Sequence, residues 1–408
     1  MKNGQNKKVE NSELQRRIVV AMSGGVDSSV AAALLKKQGY FVMGVFMKFW
    51  LDRRSLGVGG KEYNRCCSAE SEKLARLVAK KIGIPFFVIN VEKEFKKKVV
   101  DYFLKEYKKG NTPNPCVVCN KEIKFGLLIE KALKFGADFI ATGHYVKTSL
   151  NNQIFSRGRS LRVPKAPKNL LLRSVKLLKG EDKEKDQSYF LWQLSQKQLS
   201  RVLFPVGNYT KPEVRQLAKK FDLPTAETPE SQEVCFISGT TNEFLEKYLK
   251  TKPGDIVDKS GKKLGRHQGL YFYTIGQRRG IGLGGSASAK ASASVKTTAG
   301  QAGETKPYYV VAKDFKKNNL VISKNKKDLE GRELIVKNVN WTCLAEAQKQ
   351  GRVSVKVRYR AKTAFADVFI LSKNKVKIIF DKPQRAITSG QSAVFYKGEE
   401  LLGGGIIY

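Results

Sequence analysis

Between the apolar run Ile18-Val19-Val20-Ala21-Met22 and a segment with Val30, Ala33 and Leu34 at helical spacing stands Ser23-Gly24-Gly25-Val26-Asp27-Ser28-Ser29. Two adjacent glycines let the backbone turn tightly and approach a ligand with no side chain in the way. The helix that follows presents amide groups and a positive dipole end, and the serines add hydroxyl donors. Together these suit a pyrophosphate. Asp27 is placed to hold Mg²⁺ beside it. The absence of a Gly-Lys-Ser/Thr ending excludes a Walker-type loop. A strand–loop–helix of this kind needs a sheet to sit in, and the following residues supply one. Gly39 suits a helix stop, Phe41–Phe46 reads as a strand, Leu74, Leu77, Val78 and Ile82 mark a helix closed by Gly83, and Phe86–Ile89 reads as a third strand. A further strand is predicted at Phe139–Thr142. Alternation at this pitch predicts an α/β domain with a parallel sheet and crossover helices.

The pattern changes after about residue 240. Short strands are predicted at Tyr308–Ala312, Leu320–Ile322, Leu334–Val339, Val353–Arg360, Val376–Phe380 and Ala393–Tyr396, as in a small antiparallel barrel or sandwich. Val353, Val355 and Val357 alternate with Ser354, Lys356 and Arg358, so one face is expected to be apolar and the other basic. The expected units are residues 12–240, a small central domain at 241–304 with a low-complexity insertion at about 285–303, and a C-terminal β-barrel at 305–408. The Ser/Ala tract at 286–294 has too little bulk to pack a core.

Lys and Arg number 76 against 37 Asp and Glu, a formal charge of +39. That excess favours a polyanionic partner, although stretches such as Lys96-Lys97-Lys98 and Lys324-Asn325-Lys326-Lys327 read as solvated surface. No apolar run approaches the ~18 residues of a membrane span, and the polar first eight residues do not resemble a secretion signal. Six cysteines make no disulfide framework, so a cytoplasmic location is expected. With only His144 and His267 present, a three-histidine metal centre is excluded.

The cysteines carry the second signal. Thr112-Pro113-Asn114-Pro115-Cys116-Val117-Val118-Cys119-Asn120 sets two thiols three residues apart after a rigid Pro-x-Pro, and Cys235 lies in Ser231-Gln232-Glu233-Val234-Cys235-Phe236-Ile237. A lone Cys-x-x-Cys reads as half a zinc site, a redox pair or a reactive thiol with its neighbour, and zinc is disfavoured without a second pair. Cys66, Cys67 and Cys343 are expected to be structural.

The Ser23–Ser29 heptad resembles the signature of the PP-loop ATP pyrophosphatases, which cleave ATP to AMP and pyrophosphate while adenylating a carbonyl oxygen. One branch of that superfamily, the tRNA-uridine 2-sulfurtransferases, is resembled through Thr112–Phe125, Ala141-Thr142-Gly143-His144-Tyr145, Lys185–Leu191 and the segment around Cys235. Gly265–Gly269 with Tyr273–Arg278, Arg358-Tyr359-Arg360 and Pro383–Ala393 are similar to its later motifs. The resemblance runs in order from about residue 17 to the end. It implies ATP on Ala21, Met22, Ser23, Gly24, Gly25, Val26, Asp27 and Ser28, with Met47 near the adenine and Gly143 as a further contact. It implies a persulfide on Cys235, a nucleophile at Cys119, and a disulfide between the two as the 2-carbonyl oxygen of a wobble uridine leaves with AMP. A lowered thiol pKa is then expected in the site. Carried-over tRNA contacts are Asn114, Pro115 and Cys116 at the target base, and His144, Lys185, Asp186, Gln187, Arg358, Tyr359 and Gln391 elsewhere. The implied partners are the tRNA anticodon stem-loop and a sulfur-relay protein or cysteine desulfurase.

Cys116 departs from the family, in which many members carry Asp. A thiol is a weaker base than a carboxylate, so either that role is dispensable or Cys116, Cys119 and Cys235 ligate an iron–sulfur cluster. Two rival readings share parts of this pattern. Another PP-loop ligase needs the ATP loop but neither Cys119 nor Cys235, and a non-catalytic RNA-binding protein needs only the charge and the barrel.

Overall fold

In the computed structural model, residues 16–52, 68–150, 174–229, 234–283, 307–342 and 351–408 are described. The Ser/Ala tract, Cys66, Cys67, Cys343, Ser231–Glu233 and the first residues of the chain lie outside them. Arg17–Ala21 is the middle of a five-stranded parallel sheet in the order Phe86–Asn90, Phe41–Lys48, Arg17–Ala21, Phe139–Ala141, Val202–Leu203. Both faces of this strand are covered, so Ile18, Val19 and Val20 are all buried and its sequence shows no alternation. The strand order reverses between Arg17–Ala21 and Phe139–Ala141. In a doubly wound sheet that point leaves a crevice at the carboxyl ends of the strands.

The helix Val26–Lys37 starts at the crevice. Its small residues Ala31, Ala32 and Ala33 are buried, letting it lie close against its neighbours, and the helix Lys211–Lys220 packs on it. Helix Ala69–Ile82 is capped by Ser68, whose hydroxyl accepts from the Ser71 amide, and closed by Gly83 at φ 65°. Its buried stripe is Ser71, Ala75, Val78 and Ala79, while Leu77, one of the apolar residues that mark the helix, faces outward. Phe95 is buried but Lys96, Lys97 and Lys98 are exposed, with ion pairs from Lys96 to Asp101 and Lys98 to Glu122. This run is the solvated surface expected of it.

The central unit holds a four-stranded sheet ordered Tyr309–Asp314, Asn319–Ser323, Gly254–Val257, Lys263–His267. The strands at 309–323, expected in the C-terminal barrel, therefore belong here. Asn319–Val321 pairs in parallel with Asp255–Val257, and the sheet buries Ile256, Val310, Leu320 and Ile322 together. No short-range periodicity reports such a pairing.

The barrel runs Glu330–Trp341, Lys375–Arg385, Ala364–Ser372, Gly351–Lys356, Ser392–Lys397, Glu400–Ile407 and closes through antiparallel pairing of its first and last strands. Two of these strands escape periodicity. Ala364–Ser372 is apolar in both phases, and Glu400–Ile407 is glycine-rich. At Gly404 a Cβ would stand 2.9 Å from the Trp192 ring, so the strand is bare where the first domain docks. Trp192 Nε1 donates to Ser392 Oγ at 3.0 Å, and the hairpin Val146–Thr148 with Leu177–Lys179 extends the barrel sheet along Glu400–Leu401. This docking also alters the expected basic face. Lys356 is half-buried, its pKa lowered by burial and partly restored by Asp186, so only Arg358 of that face is fully exposed.

Candidate active site

Gly24 adopts φ 76°, and a Cβ there would lie 2.3 Å from the Ser71 carbonyl oxygen, so the loop can fold against helix Ala69–Ile82 only as glycine. Gly25 is the N-cap of Val26–Lys37 and uses no side chain to cap it. The hydroxyls of Ser28 and Ser29 donate instead to the Gly25 carbonyl at 3.1 and 2.9 Å, and Ser28 Oγ accepts from the Ser23 amide at 3.2 Å. The first-turn amides thus sit at the positive end of a twelve-residue helix.

Above this loop lies a cavity of about 330 Å³. Ala21, Met22, Ser23, Asp27 and Ser28 form its floor, and Met47 and Gly143 form adjoining walls. Gly24, Gly25 and Val26 shape the loop without lining the cavity; Val26 is buried beneath it. Cys116, Cys119 and Cys235 all face the same space, together with Pro115, Lys124, His144 and Gln187.

Each cysteine arrives on a different support. Pro115 occupies the first helical turn of Pro115–Cys119, which continues as the π-type stretch Asn120–Leu127 and then Leu128–Lys134. Val117 and Cys119 point inward and Cys116 outward, so Cys119 is buried and Cys116 exposed at the rim. Asn120 Nδ2 donates to the Phe190 carbonyl at 3.2 Å and ties this helix to the cavity's far wall. Cys235 is half-buried and held by its neighbour. Phe236 packs edge-on against Phe95, Phe103 and Phe244, with centroids at 5.8, 5.3 and 5.6 Å. This aromatic anchor fixes where the thiol falls.

Two groups meet at the loop in a way the sequence does not signal: Tyr145 stands in the Ala141–Tyr145 motif without a role, and Lys211 in none. Lys211 Nζ and the Tyr145 hydroxyl donate to the same oxygen, Asp27 Oδ1, at 2.6 and 2.7 Å. Lys211 is the first residue of its helix, fixed by the Thr210/Glu213 capping box and by donation from its amide to Asp182. Asp27 therefore already has a cation beside one carboxylate oxygen, a point bearing on the Mg²⁺ expected there.

Residues expected to touch RNA divide into two sets. Pro115, Cys116, His144 and Gln187 line the cavity, with Asn114 just before them in the chain. Gln187 Oε1 accepts from the Tyr145 amide at 2.9 Å. Lys185, Asp186, Arg358, Tyr359 and Gln391 do not line it. Asp186 is buried and accepts from the Gly180 and Ser188 amides and the Ser188 hydroxyl, so it holds a turn and presents no surface to a ligand. The Tyr359 ring packs at a tilt against the cavity residue Phe190, with centroids 4.5 Å apart. Arg358 is exposed, and Gln391 is directed at Thr112. Among the described residues, no three His, Cys, Asp or Glu side chains are grouped to hold a metal ion. The three cysteines share a cavity without forming a ligand set, so they do not fit an iron–sulfur cluster in this arrangement.

His144 is a neutral group in this site. It shares a 2.8 Å hydrogen bond with the Thr142 hydroxyl and packs against the rings of Phe125 and Phe204. Burial, and secondarily the Lys124 charge, hold its pKa well below 6.5. Its contribution to stability is complete above about pH 6.5, where the unfolded imidazole is also neutral. It is lost as the pH falls, because only the unfolded chain then gains a proton. His267 is depressed as well, mainly by burial. Thermal unfolding of His144→Gln is therefore expected to lose less Tm than wild type between pH 6.5 and 5, with His267 and the ion-paired carboxylates contributing to the remaining slope. An identical slope in both proteins contradicts the assignment.

Three family models cover the chain in succession. A tRNA methyl transferase HUP domain matches residues 16–239, a tRNA methyl transferase PRC-barrel domain 242–324, and an aminomethyltransferase β-barrel domain 331–407. The chain is 43% identical over 399 residues to the tRNA-specific 2-thiouridylase MnmA of Carboxydothermus hydrogenoformans, covering 96% of this chain and 98% of the relative. It is 44% identical over 398 residues to a tRNA-specific 2-thiouridylase MnmA of Thermoanaerobacter, covering 97% and 98%. The protein of that name from Geobacter metallireducens is 42% identical over 398 residues, covering 96% and 97%. With a nucleotide-type loop and a helix-borne cysteine pair facing one cavity, and relatives of this closeness along its whole length, the chain belongs to the tRNA-specific 2-thiouridylase family.

Proposed function

We infer that this protein replaces the 2-carbonyl oxygen of the wobble uridine in tRNA with sulfur, at the expense of ATP. The observation that carries the inference is that Cys119 and Cys235, far apart in the chain, line one cavity with the loop residues Ser23, Asp27 and Ser28. ATP supplies the leaving group, because a carbonyl oxygen departs poorly and AMP departs well. The amides at the start of helix Val26–Lys37 and the Ser23 and Ser28 hydroxyls hold the phosphates, with Met47 beside the adenine. The uridine oxygen attacks the α-phosphorus and pyrophosphate leaves.

A cysteine desulfurase or relay protein loads sulfur onto Cys235 as a persulfide. Its terminal sulfur attacks C2 of the adenylated uridine, and AMP departs with the C–O bonding electrons. The Cys119 thiolate then attacks Cys235 Sγ. The S–S bond breaks, its electrons go to the sulfur left on the uridine, and a Cys119–Cys235 disulfide forms. A dithiol reductant restores both thiols before the next turnover. Asp27, whose Oδ1 already accepts from Lys211 and Tyr145, is the one carboxylate of the loop that would hold an Mg²⁺ brought in with ATP. Because the Lys211 ammonium already balances that carboxylate, Asp27 would hold an Mg²⁺ only in company with the ATP phosphates, and the ion would supply charge stabilisation to the departing pyrophosphate.

Pro115, Cys116, His144 and Gln187 surround the base, which must leave the anticodon stack to enter the cavity. Exposed Arg358 and the Lys185 segment contact the tRNA outside it. The test is mass spectrometry of bulk tRNA nucleosides from cells with and without the gene, alongside an assay of tRNA-dependent AMP release by the purified protein. Loss of 2-thiouridine on deletion and AMP release that requires tRNA are the expected results. Unchanged 2-thiouridine in the deletion strain overturns the inference.

A further inference from the structure

The residues just before the cysteine helix are gripped from both of the other units. From the central unit, the Thr274 and Thr112 hydroxyls lie 3.2 Å apart in a hydrogen bond, and Lys313 Nζ donates to the Gly110 carbonyl at 2.8 Å. The Phe315 ring covers Gly110 so closely that a Cβ there would fall 1.9 Å from it. From the barrel, the Thr112 amide donates to the Ser389 carbonyl at 2.9 Å, and Gln391 Nε2 donates to the Thr112 carbonyl at 2.8 Å. Gly390, at φ 91°, lets the two backbones meet, since a Cβ there would stand 2.8 Å from Asn111 Cβ.

Thr112 thus has its amide, carbonyl and hydroxyl all engaged by other units. The chain from there to Cys116 is Pro113-Asn114-Pro115, in which two prolines fix φ and leave little slack. A displacement of Thr112 is therefore transmitted to the start of the cysteine helix instead of being absorbed in a flexible loop. We propose that Thr274 and Lys313 are positioning residues for sulfur transfer, setting the place of Cys119 through Thr112 and Gly110. Lys313 is partly buried, which lowers its pKa to about 8, and its hydrogen bond to Gly110 is partly shielded from water. Neither residue lines the cavity.

Two measurements on the full-length protein test this. The first is the rate at which iodoacetamide alkylates Cys119, followed by peptide mass spectrometry. Lys313→Met and Thr274→Val are expected to speed alkylation of this buried thiol about tenfold, roughly the effect of losing one or two hydrogen bonds. Lys313→Arg and Thr274→Ser, which keep a donor, are expected to restore it. The second is single-turnover thiolation of an unmodified tRNA transcript by enzyme preloaded with a cysteine desulfurase. Here the Met and Val variants are expected to slow the maximal rate about tenfold, leave the half-saturating tRNA concentration unchanged, and retain tRNA-dependent pyrophosphate release.

The kinetic measurement rests on the sulfur-transfer reading; the alkylation measurement does not. Wild-type enzyme that makes no 2-thiouridine defeats the reading, while altered alkylation still supports the clasp. Wild-type alkylation and rates in both variants overturn the clasp, as does a weaker tRNA half-saturation with an unchanged maximal rate. If Lys313→Met fails to fold, Thr274→Val, which removes one hydroxyl without changing size, decides the outcome.

Discussion

Cys235→Ser is expected to abolish 2-thiouridine formation, by roughly a thousandfold or more, while tRNA-dependent release of pyrophosphate continues. The substitution exchanges one atom and keeps the side chain's size. The packing of the neighbouring Phe236 on Phe95, Phe103 and Phe244, which helps place residue 235, is untouched. Nor does the change reach the loop at Ser23–Ser28. Adenylation and sulfur delivery should therefore separate cleanly. A hydroxyl cannot carry a persulfide, so no rescue by added sulfide on this residue is expected. Nucleoside mass spectrometry and a pyrophosphate assay on the same sample make the comparison. Thiolation within tenfold of wild type would remove Cys235 from the chemistry and, with it, the proposed route.

Gly143→Ala is the second large effect, and it acts at the other end of the cavity. A Cβ on residue 143 would stand 2.6 Å from both the Asp27 carbonyl carbon and the Ser28 amide nitrogen. Both are backbone atoms at the start of the nucleotide-binding helix, so no side chain can swing aside. The strand end must separate from the loop, moving the amides that would hold the phosphates. ATP affinity is expected to fall at least tenfold and adenylation about a hundredfold, since a displacement of about 1 Å costs that much in a positioned reaction. Gly351→Ala, where a Cβ would meet nothing within 4 Å, is the control and should be neutral. Isothermal titration with ATP distinguishes the two. Undiminished ATP affinity in Gly143→Ala would show that this contact does not shape the loop.

Legibility followed the range of the interactions. The Ser23–Ser29 loop could be read because its chemistry is contained in seven consecutive residues: the turn needs glycine, and the helix start needs open amides. Helix Ala69–Ile82 could be read from its apolar spacing and from Gly83, yet Leu77, one of the residues that mark it, is exposed. Both flanks of a helix near a sheet carry apolar residues, and only packing decides which flank is covered. Cys119 and Cys235 were identified by their motifs, but their common cavity depends on Phe236 and on the helix begun by Pro115. Asp186 sat in a stretch similar to a tRNA-contacting motif and is instead consumed by its own turn.

Local order was thus determined by the amino-acid sequence alone: the alternation of strand and helix, the glycine turn, the caps, and the residue types that sulfur transfer requires. These depend on backbone conformations and side-chain spacings within a few positions of one another. The tertiary structure alone decided the pairing of strands 319–321 with 255–257, the ammonium of Lys211 on Asp27, the partial burial of Lys356, and the grip of Thr274, Lys313 and Gln391 on the start of the cysteine helix. A hydrogen bond or a buried charge is satisfied by whichever partner the fold brings within about 3 Å. Residues distant in the chain carry no local mark of that meeting.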